Sequence, residues 1–343
     1  KTILKNKIDF VIIGPEKPLV EGLVDYLAKF NIKSFGPNKI ASQLEGSKIF
    51  TKKMCKKYNI PTAKFGIFKN FKSAINFLDS SVFPIVIKAD GLASGKGVYI
   101  SENKEEAIQA VKEIFDGKFG KPEQILIEEF LDGEEMSYFI ISDGKCYKKF
   151  QTAQDHKRVF EGDKGKNTGG MGAYSPSKLI DDNLDDKIIK KIIEPTLKGL
   201  KELGVSYEGF LYAGLMIKNG EPYLIEYNVR MGDPECQTIL PKLKNDLLDV
   251  LKSCIDKNLD SLNLDWSNDK SLCVVLCSKG YPDNFNNEIE ITNLEKLKIN
   301  NDNNEFIFHA GTKIIDNKIY SNGGRVLNFV KMSKNFKESR EVI

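Results

Sequence analysis

Lys88 closes the apolar run Ile85-Val86-Ile87 and is followed, after Ala89, by Asp90-Gly91-Leu92-Ala93-Ser94-Gly95-Lys96-Gly97. Glycines let backbone N–H groups approach phosphate oxygens with no side chain in the way, and Lys88 and Lys96 can neutralise charge from two directions. The pattern is not a Walker A loop, because Gly91 and Gly95 are too close together and Gly97, not Ser or Thr, follows Lys96. Alone, Lys88 reads equally well as an edge-strand lysine that discourages aggregation. With the glycine loop behind it, polyphosphate binding is the better reading.

Glu226 and Asn228 alternate, so a strand presents both on one face, and Arg230 follows two positions on. Hard oxygen donors suit Mg²⁺, and a guanidinium beside them stabilises charge on a transferring phosphoryl group. The plain alternative is a salt-bridged strand end. Ile127-Glu128-Glu129-Phe130-Leu131-Asp132-Gly133-Glu134 ends a strand in an acidic turn. There Glu134 can accept from a ribose while the strand end meets an adenine edge, although a solvated turn has the same composition. In Gln154-Asp155-His156-Lys157-Arg158, Arg158 is suited to clamping a carboxylate or phosphate, and His156 suits a hydrogen-bonding scaffold better than a general base. The nearby turn Asn167-Thr168-Gly169-Gly170 suits an anionic acceptor, and His309 reads as structural.

These groups need a frame. A strand from Ile8 to Ile13, a helix from about Leu19 to Phe30 and a strand closing at Ser34 to Pro37 predict a parallel unit. A lysine-rich helix follows from Glu45 to Tyr58. Strands at Phe65 to Phe68, Ile85 to Lys88, Val98 to Ile100 and Ile125 to Phe130, with helices Ser73 to Leu78 and Lys104 to Phe115, predict an α+β lobe. Met136 to Ser142 and Lys145 to Phe150 read as a hairpin, and Gln154 to Gly172 as a long functional loop. A helix from about Ile188 to Glu202, strands Phe210 to Ile217 and Tyr223 to Asn228, and a helix near Leu247 to Cys254 lead to a linker at Asn258 to Asn268. The remainder is strand-rich, at Leu272 to Cys277, Phe306 to Ala310, Lys318 to Tyr320 and Val326 to Val330.

The 343 residues are enough for two or three domains, and 51 basic against 48 acidic residues leave +3, no excess that would call for nucleic acid. Six cysteines without paired spacing fit a reduced, cytoplasmic setting, with Cys273 and Cys277 as small buried apolar groups and not a metal site. No apolar run is long enough for a membrane span, so no membrane partner is expected.

In this order the motifs resemble the phosphoribosylamine–glycine ligase (glycinamide ribonucleotide synthetase) family of the ATP-grasp superfamily. The matching stretches are Gly14 to Val20, Gln43 to Lys48, Lys88 to Gly97, Ile127 to Glu135, Gln154 to Arg158, Asn167 to Pro176, Glu226 to Glu235 and Asn322 to Arg325. The resemblance implies an α/β and α+β ATP-grasp fold: a partial N-terminal parallel-sheet domain at 1–45, an ATP-grasp domain at 46–257 with its nucleotide lobe at about 61–132, and a truncated strand-rich C-terminal domain at 269–340. It also implies that ATP phosphorylates glycine and that 5-phosphoribosylamine attacks the glycyl phosphate, in a cytoplasmic monomer. Other ATP-grasp ligases, or a nucleotide-binding module without activity, are the alternatives.

By the same resemblance, Lys48, Lys88, Asp90, Gly91, Ser94, Gly95, Lys96 and Gly97 serve the ATP phosphates. Glu128, Glu129, Phe130, Leu131 and Glu134 hold adenine and ribose, and Glu226 and Asn228 hold Mg²⁺ or Mn²⁺. Gly14, Pro15, Glu16, Asp155, Lys157, Asn167, Thr168, Gly169, Gly170 and Asp233 face glycine or phosphoribosylamine, and Arg230, Arg158 and Lys96 act in catalysis, both arginines also as substrate ligands. Gly214 stands where many ATP-grasp enzymes carry a further acidic ligand. The family's glycine-rich opening strand and helix are not found ahead of Ile8, so upstream sequence is expected, and its C-terminal helix is expected to be cut at about Ser339.

Overall fold

A computed structural model of the chain describes residues 2–92, 97–120, 122–162, 164–297 and 304–343. They form two compact units, the first from 1–150, 179–231 and 251–262, the second from 151–178, 232–250 and 263–343.

In the first unit Phe10–Ile12 and Lys33–Phe35 pair in parallel across an intervening helical segment, as the sequence predicts. That segment is two helices, Glu16–Glu21 and Leu23–Ala28, because Gly22 takes φ +92 and ends the first turn run. The predicted helix from Glu45 is likewise split into Gln43–Gly46 and Lys48–Tyr58. Ser47 is extended between them, and its hydroxyl accepts the Phe50 N–H at 3.1 Å as an N-cap.

Four antiparallel strands follow in the order Phe65–Phe68, Ile125–Glu129, Ile85–Ala89, Val98–Ser101. Helices Phe71–Leu78 and Lys104–Phe115 supply the apolar stripe that buries Ile87, Ile125 and Ile127. A further set pairs Glu221–Asn228 with Glu208–Lys218 and that strand with Glu134–Asp143. Its core side packs on Ile188, Ile192, Ile193 and Leu200. The single predicted helix here is α-helix Asp182–Ile188, a π segment Ile189–Ile193 and α-helix Glu194–Glu202. The widening precedes Pro195, which has no N–H to donate to the helical ladder.

Strand Tyr147–Asp155 carries the chain into the second unit, where its end pairs with Gly172–Ser175. That strand pairs with Lys270–Cys277, then come Arg325–Ser333 and Glu305–His309, all antiparallel. Cys273, Val275 and Val330 form the small core, with Cys277 packed against it, as expected for two apolar cysteines on one strand face. Two expectations are corrected. The stretch Gln154 to Gly172 is not a plain loop, since Arg158–Phe160 and Lys164–Asn167 pair as a hairpin. The stretch Asn258 to Asn268 is no loose linker: a 3₁₀ turn, Leu259–Ser261, buries Leu259 and donates its N–H to Asp143 Oδ2 at 3.2 Å. A strand at Thr312–Ile315 joins Lys318–Ser321 in a hairpin, and a helix spans Phe336–Val342.

Candidate functional site

The strand order of the four-stranded sheet places Lys88 directly opposite Leu126 and diagonal to Glu128, two positions on and on the same face. The Lys88 ammonium lies 2.9 Å from Glu128 Oε2, and Lys52, one helical turn beyond Lys48, lies 3.0 Å from Oε1. Oε1 makes no aligned hydrogen bond, so the Lys52 contact is chiefly one of charge. Side chains of Lys52, Glu128 and Lys88 are 2%, 4% and 7% exposed. Lys52 also donates to the Thr62 hydroxyl, which in turn donates to the Leu224 carbonyl at 2.6 Å. Lys48 reaches the Gly91 carbonyl at 3.0 Å. Burial lowers the Lys48 ammonium, Glu226 and Asp90 work against this, and Lys88 adds to it, so the four charges share one field. Burial pushes the Glu128 carboxyl up, but Lys88 and Lys52 together pull it below the ordinary carboxylate value.

Around this cluster, Asp90 accepts from the Ser47 hydroxyl at 3.0 Å and the Ile49 N–H at 3.2 Å, so its carboxylate anchors the start of helix Lys48–Tyr58. Gly91 takes φ +91, a conformation that favours glycine. Ala93, Ser94, Gly95 and Lys96 lie outside the described residues, and Gly97 returns the chain to the sheet by accepting the Ala89 N–H at 2.8 Å. Of the adenine and ribose candidates, Glu129 is turned to the Lys64 N–H, Phe130 is 37% exposed, Leu131 is half-buried, and Glu134 opens the strand opposite Ile217.

Strand Glu221–Asn228 buries Tyr227 in the core, as Val229 just beyond it is buried, while Glu226, Asn228 and Arg230 stand half-buried on the other side. Glu226 and Asn228 supply oxygen donors on one face, a set that fits a magnesium-type ion. Gly214 pairs with Glu226, and a Cβ there would rest 3.4 Å from Glu226 Cγ. Arg230 donates from Nη2 to Glu45 Oε1 at 2.8 Å, from Nε to Glu16 Oε2 at 3.3 Å and from Nη1 to the Met231 carbonyl at 3.1 Å. Glu16 is thus brought to Arg230, with Gly14 and Pro15 directly ahead of it.

In the second unit, the Thr168 N–H and hydroxyl both donate to the Lys157 carbonyl, at 2.7 and 2.8 Å, and the Gly170 N–H returns to the Thr168 hydroxyl. Arg325 donates to the carbonyls of Gly169 at 2.7 Å and Asp233 at 2.6 Å, and its Nη2 meets Asp233 Oδ2 at 3.0 Å. Gly170 has φ +115, and a Cβ would fall 2.5 Å from Pro234 Cδ. Asn167, Thr168, Gly169, Gly170, Lys157 and Asp233 are therefore one assembly. Asp155 lies 3.9 Å from the Lys157 ammonium, and Arg158 donates to the Gly165 carbonyl at 2.7 Å across the hairpin. His156 engages its own strand partners through its backbone, and His309 Nδ1 meets the Thr312 hydroxyl at 2.9 Å.

Sequence reasoning missed Glu45, Lys52 and Arg325 as site residues. Lys52 had one local signal, its i,i+4 spacing from Lys48. Glu45 and Arg325 lie inside recognisable motifs, but their partners are 185 and 92 residues away in sequence.

The phosphoribosylglycinamide synthetase family models match the chain in three parts: the N domain at 1–45, the ATP-grasp (A) domain at 46–236 and the C domain at 271–343. A phosphoribosylamine–glycine ligase of Agrobacterium fabrum is 47% identical over 337 residues, 98% of this chain and 79% of the relative. The crystal structure of the phosphoribosylamine–glycine ligase of Thermotoga maritima superimposes with a TM-score of 0.86 at 36% identity, covering 99% of this chain and 83% of that one. A biotin carboxylase domain from Hydrogenobacter thermophilus, solved with MgADP, shares the fold at a TM-score of 0.73 and 16% identity, over 99% of this chain and 74% of its own.

Proposed function

Because the chain belongs to the phosphoribosylglycinamide synthetase family, with its ATP-grasp fold, we propose that the lysine cluster around Glu128 binds the phosphates of ATP in the reaction of that family. The chain is an ATP-dependent carbon–nitrogen ligase that joins glycine to 5-phosphoribosylamine, giving glycinamide ribonucleotide, ADP and phosphate. The observation that carries the site is the charge count. Lys52 and Lys88 are buried against the single carboxylate of Glu128, with the half-buried Lys48 nearby in the field of Asp90 and Glu226, and the unmatched buried positive charge of the lysine pair is costly unless an anion answers it.

The glycine carboxylate attacks the γ-phosphorus and ADP leaves; the amine then attacks the acyl carbon, phosphate leaves, and the nitrogen gives up a proton. The chain's contribution is positioning and charge neutralisation. Lys48 and Lys88 hold phosphate oxygens, and Asp90, Gly91, Ser94, Gly95, Lys96 and Gly97 serve the same phosphates. Glu129 to Leu131 and Glu134 hold the adenosine, while the Glu128 carboxylate is taken up by Lys52 and Lys88. Glu226 and Asn228 would hold Mg²⁺ or Mn²⁺, whose chemistry is to neutralise phosphate oxygens. In the first unit Arg230 braces the acyl phosphate and Gly14 to Glu16 serve an acceptor substrate; in the second unit Arg158 is a catalytic anion ligand, and Asp155, Lys157, the Asn167 to Gly170 turn and Asp233 serve the acceptor substrates. No described helix is long and apolar enough to cross a membrane. With all six cysteines free, we read the chain as a cytoplasmic monomer.

Phosphate release tests this. It is expected to require ATP, glycine and phosphoribosylamine together, and Lys88→Met is expected to weaken ADP binding by about 10- to 100-fold, the worth of a charged hydrogen bond. Glycine-independent release would refute the reaction; unchanged ADP affinity would refute the phosphate site.

A further inference from the structure

Arg230 is held by more carboxylate than its own strand supplies. Glu45 comes from helix Gln43–Gly46, with its side chain 8% exposed, and uses both oxygens on the segment that follows Asn228. Oε1 accepts from Arg230 Nη2 at 2.8 Å, and Oε2 accepts the Val229 N–H at 2.8 Å. One carboxylate thus fixes both the guanidinium and the peptide that carries it. Glu16 adds a longer, more exposed contact to Nε at 3.3 Å.

We propose that Glu45 is a positioning residue for the ligation: by gripping Arg230 and the Val229 peptide together, it sets the guanidinium in the place where it braces the acyl phosphate. The proposal rests on that reading of Arg230. It explains why an acidic residue stands here at all. Burial drives the Glu45 carboxyl up to about 7; Arg230 and the Val229 N–H oppose this, and Glu16 and Glu226 add to it. Two donors, the Val229 N–H and Arg230 Nη2, converge on Glu45, and this calls for two acceptor atoms at the end of one side chain. Glutamine has one acceptor oxygen, and its amide N–H₂ would meet either the Val229 N–H or the Arg230 N–H, donor against donor. Aspartate keeps both oxygens but is one methylene too short to span the two donors from the same helix position.

The test is a double-mutant cycle on the full chain with E45Q, E45D and R230M, reading kcat and KM at saturating co-substrates and ADP affinity by calorimetry. E45Q and E45D are each expected to lower kcat by about tenfold or more with KM for ATP and ADP affinity within about threefold, because the loss belongs to an interaction made in the transition state. In the R230M background, E45Q is expected to add no further loss, whereas an independent structural defect would cost the same factor in both backgrounds. Retained ADP affinity shows that each variant is folded. The proposal is overturned if E45Q and E45D keep kcat within twofold of the parent while R230M is slow, or if E45Q costs the same factor in both backgrounds. If R230M itself turns over like the parent, the Arg230 reading falls and Glu45's role falls with it.

Discussion

Replacing Glu128 by glutamine should be among the most damaging isosteric changes in the first unit, and the arithmetic follows from the charges around it. The carboxylate lies 3.0 Å from Lys52 and 2.9 Å from Lys88, all three side chains nearly inaccessible. Removing the acid leaves two buried ammonium groups facing a neutral amide, and loss of one partner from a buried ion pair costs about 3–5 kcal/mol. For a unit of this size, each kcal/mol moves Tm by about 2–4 °C, so E128Q should melt about 6–20 °C below the parent. Lys52→Met provides the contrast. It leaves a neutral Lys88–Glu128 pair and a Thr62 hydroxyl that still donates to Leu224, so it should cost less than half as much. Thermal melts with and without magnesium ADP measure both, and the nucleotide should raise Tm more in E128Q than in the parent, since its phosphates supply the missing negative charge. The acid limb adds a check. Lys88 and Lys52 hold the folded-state carboxyl below its ordinary value of 4.5 against the opposing effect of burial, so its stabilisation is present above that value and lost as pH falls through the folded-state pKa. The gap between parent and E128Q should therefore narrow on acidification. An E128Q variant within about 1 kcal/mol of the parent, or K52M as the worse of the two, would refute the buried-charge reasoning.

Two further outcomes are expected in the second unit. Arg325→Ala frees the Gly169 carbonyl and Asp233 at once, so KM for glycine or phosphoribosylamine should rise about tenfold or more, with KM for ATP within twofold; equal movement of all three in steady-state assays would count against it. Lys242 is 2% exposed, and burial lowers its ammonium to about 8 from 10.5, with Lys270 adding to the shift and Asp269 opposing it. The unfolded chain binds more protons between those values, so stability should rise with pH across that window, by up to about 3 kcal/mol. Lys242→Met should abolish that rise in denaturant unfolding and close its advantage over the parent by pH 10.5; parallel curves would sink the argument.

What could be read from the sequence was what depends on near neighbours. Strand alternation is a local code, so Glu226, Asn228 and Arg230 were legible as one face, and Lys88 with its glycines as a strand end. Helix Lys104–Phe115 was legible to its ends because Asn103 caps it and its apolar stripe is regular. The hairpin at Arg158–Phe160 and Lys164–Asn167 was not, since its second strand is polar and exposed throughout and carries no alternation. Lys52 resembled any other lysine of a lysine-rich helix, because Glu128 lies far along the chain and comes within its reach only on folding.

The same division explains why the candidate chemistry stands on strand Glu221–Asn228. One side of it is locked: Tyr227 is buried with its hydroxyl paired to Thr196, and Val229 just after it is buried in the same core. Rotating or sliding the strand would expose those residues, so packing fixes where Glu226, Asn228 and Arg230 point. Packing alone does not fix a guanidinium at the end of four rotatable bonds. Its direction needs hydrogen-bond acceptors, and these come from Glu45 and Glu16 on two other helices. The apolar core therefore sets the positions of the metal-type oxygens, and two distant carboxylates set the aim of the arginine, which is why only the first of these could be foreseen from the spacing of residues.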